Sequence, residues 1–496
     1  MSAVTLFWLL TIILCGSFLF ISWKMKDKAD LSFSHYAIAG GTFPMFLIFF
    51  TQFATIMGAG NFMGHAGSGY VNGLPWLVFI AGEQGSKIIF AVAFAAFAGQ
   101  FTYNTFPEMI DDLLTRDKVT RGLAGILASL IMIAWVGGQG KAFGDLFSVF
   151  TGVSAVPIIF LFTAIFVVYT TLGGIYSVVW TDFIQGLICI VAATAFYLYA
   201  FSQVNFSFAE IGARLAAVGK ADLWSFAGVS PVRLLTMFTT GCVGILVAQI
   251  YWQRCFAAKT PRTARHGLLW SGIIAIIMTM LTAVVGMIIL TLNQDLAQGD
   301  VMPWFLLNCV PLIISATVFV LILAAGMSSA DSNLNSAAVL IVNDVIKPFA
   351  KNLGDKQLIK LAKILTFVIG FASALAAVFA SSIISMFSRA YQMAGAGLVP
   401  LLVIGLLWKE QPKNKFDMGK RNSKVTPWGA RVSIVSGSVL TQVTALGDNR
   451  LLWALLISSI LLVVVSLATQ NTKLPQSLQS EGFIGVNSKL NGTSEG

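Results

Sequence analysis

Of the 496 residues, 57% are hydrophobic and only 10% are charged, with 31 Lys or Arg against 21 Asp or Glu. A soluble domain carries roughly a quarter charged residues, and single apolar cores stop growing near 250–300 residues, so a water-soluble globule is excluded and lipid is the expected solvent. The net charge of +10 would also suit nucleic acid, and the placement of the basic residues decides between the two.

A stretch of about 17–25 apolar residues can cross a bilayer as a helix. Thirteen stretches qualify: 4–23, 43–72, 74–101, 121–151, 154–172, 176–201, 231–255, 266–294, 310–346, 361–382, 384–408, 425–446 and 450–470. The chain therefore reads as an all-α polytopic membrane protein with 13 transmembrane helices. The first stretch lacks a basic n-region and a small-residue cleavage site, so with the basic residues behind it (1–30) it reads as a retained helix and not a signal peptide.

The second stretch contains Gly58, Gly60, Gly64, Gly67 and Gly69 within twelve residues. Each glycine costs a helix up to about 1 kcal/mol relative to alanine, so this run marks an unwound segment or very close helix packing. Unwound backbone near the midplane offers carbonyl oxygens to a cation; the alternative is a small-residue packing face. His65 borders the run.

Further along, Glu83 and Lys87 are four apart on one helix, as are Lys141 and Asp145. Each pair can neutralise itself locally. Asp182 and Asp331 have no basic residue within helical reach, and an ionisable group at bilayer depth is costly and functional by default. Asp331 lies in Ala325-Gly326-Met327-Ser328-Ser329-Ala330-Asp331-Ser332. Helical spacing puts Ser328, Asp331 and Ser332 on one face with Ser329 beside them. These hard oxygen ligands suit an alkali or alkaline-earth cation. Arg389 is a further in-span charge without an assigned role.

The connection 202–230 is the one long loop expected outside the membrane. The loop 409–424 is basic, 425–470 forms two trailing helices, and the tail 471–496 has a disordered composition. With thirteen crossings, 24 of the 31 basic residues fall in alternate connections on one side, which the positive-inside rule makes cytoplasmic. The amino terminus is then outside and the carboxyl terminus inside, in a cell (plasma or inner) membrane. Positive charge used this way is a topology signal, so no nucleic-acid partner is expected. The five cysteines form no CxxC pair and imply neither a disulfide framework nor a zinc site.

The stretch Thr170-Thr171-Leu172-Gly173-Gly174-Ile175-Tyr176-Ser177-Val178-Val179-Trp180-Thr181-Asp182-Phe183-Ile184-Gln185-Gly186 resembles the fifth core helix of the sodium/solute symporters. Gln253-Arg254 with Ala257-Ala258-Lys259 is similar to that family's Q-R…A-A-K motif, and Pro400 with Gly405-Leu406-Leu407-Trp408-Lys409 to the end of its tenth core helix. The serine stripe resembles core helix eight. Four motifs in register from about 30 to 410 identify the chain as a member of that family.

The resemblance implies a LeuT-like fold of two inverted five-helix repeats, 43–201 and 231–408, with one leading and two trailing helices. It implies a main sodium site at the carbonyls of Ala54, Met57 and Ala325 and the hydroxyls of Ser328 and Ser329. It also implies a second sodium site or exit path at Asp182, Asp331 and Ser332, where Asp331 replaces a serine. The coupling ion is Na+, and the partners are a small-molecule substrate, sodium and the bilayer, with no oligomer required. The substrate cavity should draw on Asn61, His65, Glu83, Lys141 and Gln392, gated by Phe79, Trp135 and Tyr251. Charges of both signs would suit an amino acid, another zwitterion or a carboxylate. An enzyme would need a nucleophile with a base or a metal cluster, and none is visible. The alternative is a proton-coupled symporter or a solute sensor on the same fold.

Overall fold

The computed structural model describes residues 3–29, 31–350, 353–409 and 423–472. Beyond Thr472 the expected disordered tail lies outside the described residues, as do Lys351 and most of the 409–424 loop. Helix accounts for every long element: α1 (Ala3–Ala29), α2 (Met45–Ile56), α3 (Gly60–Asn72), α4 (Trp76–Ala98), α5 (Lys118–Thr151), α6 (Ala155–Leu172) and α7 (Gly174–Ser202). There follow α8 (Pro231–Val247), α9 (Gln249–Ala257), α10 (Pro261–Leu292), α11 (Leu312–Ile346), α12 (Asp355–Phe379), α13 (Ile383–Leu407), α14 (Pro427–Leu440) and α15 (Arg450–Ala468).

Lipid offers no hydrogen bonds, so backbone groups must be satisfied within the chain, and the helix starts are built for that. Asp117, Ser230, Thr260, Ser382 and Thr426 each accept the N–H three residues on. Pro231, Pro261 and Pro427 sit at first-turn positions, where the missing N–H removes no helical bond.

Eleven helices are long and apolar enough to cross a membrane, or twelve if the bent pair α2–α3 is one span. The thirteenth expected span is not among them. The stretch 425–446 folds as α14, whose 14 residues extend about 21 Å, short of a bilayer core of about 30 Å. The long 310–346 stretch is one continuous helix ending in a π-helical turn, Ile341–Ile346. The 202–230 connection holds an amphipathic helix, Phe208–Ala217.

Two spans are broken. The axis between α2 and α3 bends by 44°, as the glycine run predicts. The break between α8 and α9 was not expected: Ala248 takes an extended conformation, φ −71° and ψ 122°, with no glycine run to announce it. Close packing also claims part of the glycine run. A Cβ on Gly69 would lie 2.1 Å from the Ala283 carbonyl oxygen, and one on Gly286 would lie 1.9 Å from that of Ala66, so α3 and α10 touch backbone to backbone. Both readings of the run hold, the break at its start and the packing face at its end. Arg389, unassigned from sequence, is exposed on α13 and adds no buried charge.

Candidate functional site

The break in α2–α3 lies against the middle of α11. Past Met57, whose N–H still reaches the Phe53 carbonyl at 3.0 Å, the next bond runs from Asn61 N–H to Gly58 C=O at 2.8 Å. Asn61 Nδ2 caps the Ile56 carbonyl at 3.1 Å, and Gln139 Oε1 on α5 accepts from Gly60 N–H at 3.3 Å. Side chains thus hold open a stretch that would otherwise rewind. Ser329 Oγ donates to the Thr55 carbonyl at 2.6 Å, which brings the serine stripe onto the break. The contact needs a glycine opposite it: a Cβ on Gly58 would stand 2.1 Å from Ser329 Oγ and 3.0 Å from Gln139 Oε1. Gly58→Ala is therefore expected to push the two helices apart and raise the half-saturating sodium concentration for uptake at least about tenfold, read from sodium titrations of transport in proteoliposomes.

One turn deeper lies a buried charge cluster. Asp182 accepts from Ser328 Oγ, from Thr51 Oγ1 at 2.5 Å and from Ser332 Oγ at 3.4 Å. Asp331 accepts from the Ser332 backbone N–H at 2.6 Å and from Thr181 Oγ1 at 3.5 Å. The cation missing from both helices comes from α9. Arg254 Nη2 bonds Ser332 Oγ at 2.7 Å and the hydroxyls of Thr51 and Thr55 at 3.2 Å, and it stands 3.9 Å from Asp182 Oδ2. This corrects the sequence reading, which counted Arg254 among the cytoplasmic loop charges. Its side chain is 2% exposed. The signal was available, since Arg254 falls inside the 231–255 stretch. Two carboxylates stand in the field of one guanidinium, which is within 3.9 Å of Asp182.

Towards the opposite end, a cavity of about 40 Å³ lies between the break, α4, α5, α9, α11 and α13. It collects Asn61, His65, Glu83, Trp135 and Tyr251 from the expected substrate residues. Lys87, expected only as an ion-pair partner, also lines it, with Gln84, Gln139, Asn333, Phe387 and Tyr391, which the sequence did not single out. Glu83 does not pair with Lys87 as the four-residue spacing suggested. Lys87 Nζ turns to Gln84 Oε1 at 2.5 Å, while Glu83 takes Tyr391 Oη at 2.7 Å and His65 Nε2 at 3.1 Å. An indole N–H can only donate. Because Trp76 Nε1 donates to His65 Nδ1 at 3.2 Å, the ring proton sits on Nε2 and points at Glu83. Asn61 and Asn333 have each committed their amide N–H₂ to a carbonyl, so their buried, unpartnered Oδ1 atoms are acceptors. The cavity offers acceptors, an ammonium and aromatic faces together.

Three expected substrate residues lie elsewhere. Phe79 and Gln392 line a wider hollow of about 380 Å³ with Trp76 and Arg233. Lys141 pairs with Asp145 at 3.4 Å and lines a separate hollow.

The family model for the sodium:solute symporter family matches residues 36–414. The sodium/sialic acid symporter NanT of Aliivibrio fischeri is 22% identical over 415 residues, covering 79% of this chain and 81% of that protein. The high-affinity proline transporter PutP of Bacillus subtilis is 24% identical over 388 residues, covering 74% and 79%. A sodium-coupled sialic acid symporter, solved in a substrate-bound outward-open state, superposes with a TM-score of 0.76 at 18% identity. That match covers 95% of this chain and 98% of that one, so the two share a fold.

Proposed function

The chain belongs to the sodium:solute symporter family, and on that premise we propose that it imports a small zwitterionic or carboxylate-bearing solute together with sodium by alternating access. The observation that carries this reading is the Ser329–Thr55 contact across the helix break. It sets the Ser329 hydroxyl beside backbone that has left the helical ladder, with Ser328 next to it in sequence and bonded to Asp182. Ala54, Met57 and Ala325 supply the carbonyls of the main sodium site. A hydroxyl that donates to Asp182, as Ser328 does, keeps its lone pairs for an ion. Asp182, Asp331 and Ser332 form the second sodium site or the way out, with Arg254 as their standing counter-charge. Sodium entering a negative interior releases about 2.3 kcal/mol per 100 mV. That energy drives uptake if the ion holds the broken helix against α11 while the solute binds, and linkage then makes ion and solute raise each other's affinity.

Thirteen crossings, ten of them in two inverted repeats, 43–201 and 231–408, fit the same reading. Its support is that the first span of each repeat is the broken one, at Met57–Ala59 and at Ala248. The basic connections, less Arg254, put the amino terminus outside and the carboxyl terminus in the cytoplasm. For the solute, the support is the mixed lining of the inner cavity: Lys87 for a carboxylate, Glu83 and two amide oxygens for an ammonium. The relatives' names include transporters of both a sugar acid and an amino acid. Purified protein in proteoliposomes should accumulate a solute from a panel of amino acids, betaines, carboxylates and sugars under an inward sodium gradient. Replacing sodium by potassium should abolish accumulation. Uptake driven equally by a proton gradient without sodium would overturn the assignment.

A further inference from the structure

The lysines around the start of α12 are gathered more closely than a topology signal requires. Lys356 and Lys360 stand four apart on the first turns, with Lys363 next on the same helical face. On α12 itself Asp355 is the only acid against these three. Along that face the charge gives way at once to apolar side chains turned out of the bundle, Ile364, Phe367 and Phe371, with Phe367 66% exposed. From Ile364 to the exposed Phe379 the helix rises about 22 Å, most of a hydrocarbon core of about 30 Å. A lysine one turn below such a stripe lays its stem among acyl chains and holds its ammonium at headgroup depth.

Two further cations come from neighbouring elements. α12 packs against α5 and against the π-helical turn that ends α11. Lys118 opens α5, and Lys347 follows the turn Ile341–Ile346. Phe349 lies with them. Its ring is 53% exposed, has the Lys118 ammonium 5.2 Å from its centroid, and would be 3.6 Å from a Cβ on Gly122 of α5. Lys118, Lys347, Lys356 and Lys360 are all exposed, and none pairs with a carboxylate among the described residues. The nearest acids in sequence are committed elsewhere: Asp344 accepts from Arg121 Nε at 2.8 Å and Asp117 from Arg431 Nη2 at 2.7 Å. The chain beyond Thr472 carries two glutamates and two lysines, so it has no net charge with which to neutralise the patch.

We propose that Lys118, Lys347, Phe349, Lys356 and Lys360 form a docking site for the phosphate headgroup of an anionic membrane lipid, whose acyl chains lie along the Ile364–Phe371 face. The continuity of the lysines with that face selects a lipid. A soluble anion would use the ammonium groups and leave the half-exposed Phe349 ring in water, whereas the acyl boundary buries it. Basic pockets between transmembrane helices bind such headgroups. The lipid ties α12 to the junction where Arg121, one turn on from Lys118, holds the end of α11, so its occupancy stabilises that end of the bundle.

The test is native mass spectrometry of the purified full chain in detergent with phosphatidylglycerol, phosphatidylcholine or inorganic phosphate added, beside the melting temperature with each. The wild type should retain phosphatidylglycerol in preference to phosphatidylcholine and melt about 3 °C or more higher with it. Lys347→Gln, Lys356→Gln and Lys360→Gln together should weaken phosphatidylglycerol binding about tenfold or more and remove the shift. Lys259→Gln, Arg262→Gln and Arg265→Gln together take as many exposed charges from the connection between α9 and α10, and should leave both unchanged. A wild-type melting temperature without added lipid shows that each variant is folded, and Lys356→Gln with Lys360→Gln provides a milder one. Equal losses in the two triple variants would overturn the site, because the attraction would then belong to the basic surface as a whole. Equal retention of the two lipids by the wild type would overturn it as well. Stabilisation by inorganic phosphate equal to that by phosphatidylglycerol would assign the ammonium groups to a soluble anion instead.

Discussion

Replacing Ser329 with alanine is expected to abolish sodium-driven uptake while the protein remains inserted and folded. The side chain has two claims on it. Its hydrogen bond to the Thr55 carbonyl, 2.6 Å long, contributes only about 1 kcal/mol to stability, and alanine fits the same space. In the proposed sodium site its oxygen is also the ligand that joins α11 to the helix break, and an alkali cation gains its binding energy from such oxygens in place of its hydration shell. Loss of one of few ligands costs sodium affinity tenfold for each 1.4 kcal/mol, and the coupling free energy passed to the solute falls with it. Uptake measured against sodium concentration, with membrane insertion followed by immunoblot, decides the matter. Normal uptake by both Ser329→Ala and Ser328→Ala would remove the sodium site from this position.

Arg254→Gln is expected to be the most destabilising single change in the transport core. The guanidinium faces Asp182 at 3.9 Å and bonds hydroxyls on α2 and α11. Removing one partner of a buried charge cluster typically costs about 3–5 kcal/mol, because the charges left behind are unpaired. Glutamine keeps some hydrogen bonding but no charge, so Asp182 and Asp331 face each other's field alone. Lysine keeps the charge and loses the fork, so Arg254→Lys should fall between the two. The diagnostic is the double variant: Arg254→Gln with Asp331→Asn should regain most of the lost melting temperature in a detergent thermal-shift assay, since it removes one carboxylate with the one cation. If Arg254→Gln melts with the wild type, the guanidinium does not balance these carboxylates.

The two variants also separate what could be read along the chain from what could not. Ser329, Asp331 and the glycine run announce themselves because each is anomalous in its own neighbourhood: hydroxyls, a carboxylate or helix breakers within an apolar stretch. Arg254 announced itself less, because its position near a helix end made it look like a topology charge. Its partners Asp182 and Ser332 are 72 and 78 residues away, and no local spacing connects them. Glu83 makes the same point in reverse. Four-residue spacing offers it Lys87, yet Tyr391, 308 residues on, is the partner it takes, because α13 approaches α4 closely enough to present a phenol. The break at Ala248 has no glycine run of that kind, only Gly241 and Gly244 before it.

Length, the scarcity of charge and the spacing of apolar stretches were enough to determine a polytopic membrane helix bundle, because lipid permits little else for a chain with one charge in ten residues. The motifs were enough to determine the family. Only the tertiary structure decided which buried charges meet, that the inner cavity is small and lined from six elements, and that Lys141 belongs to a separate hollow. Those facts depend on helix approach and rotation, which are set by packing between segments hundreds of residues apart and leave no imprint on local periodicity.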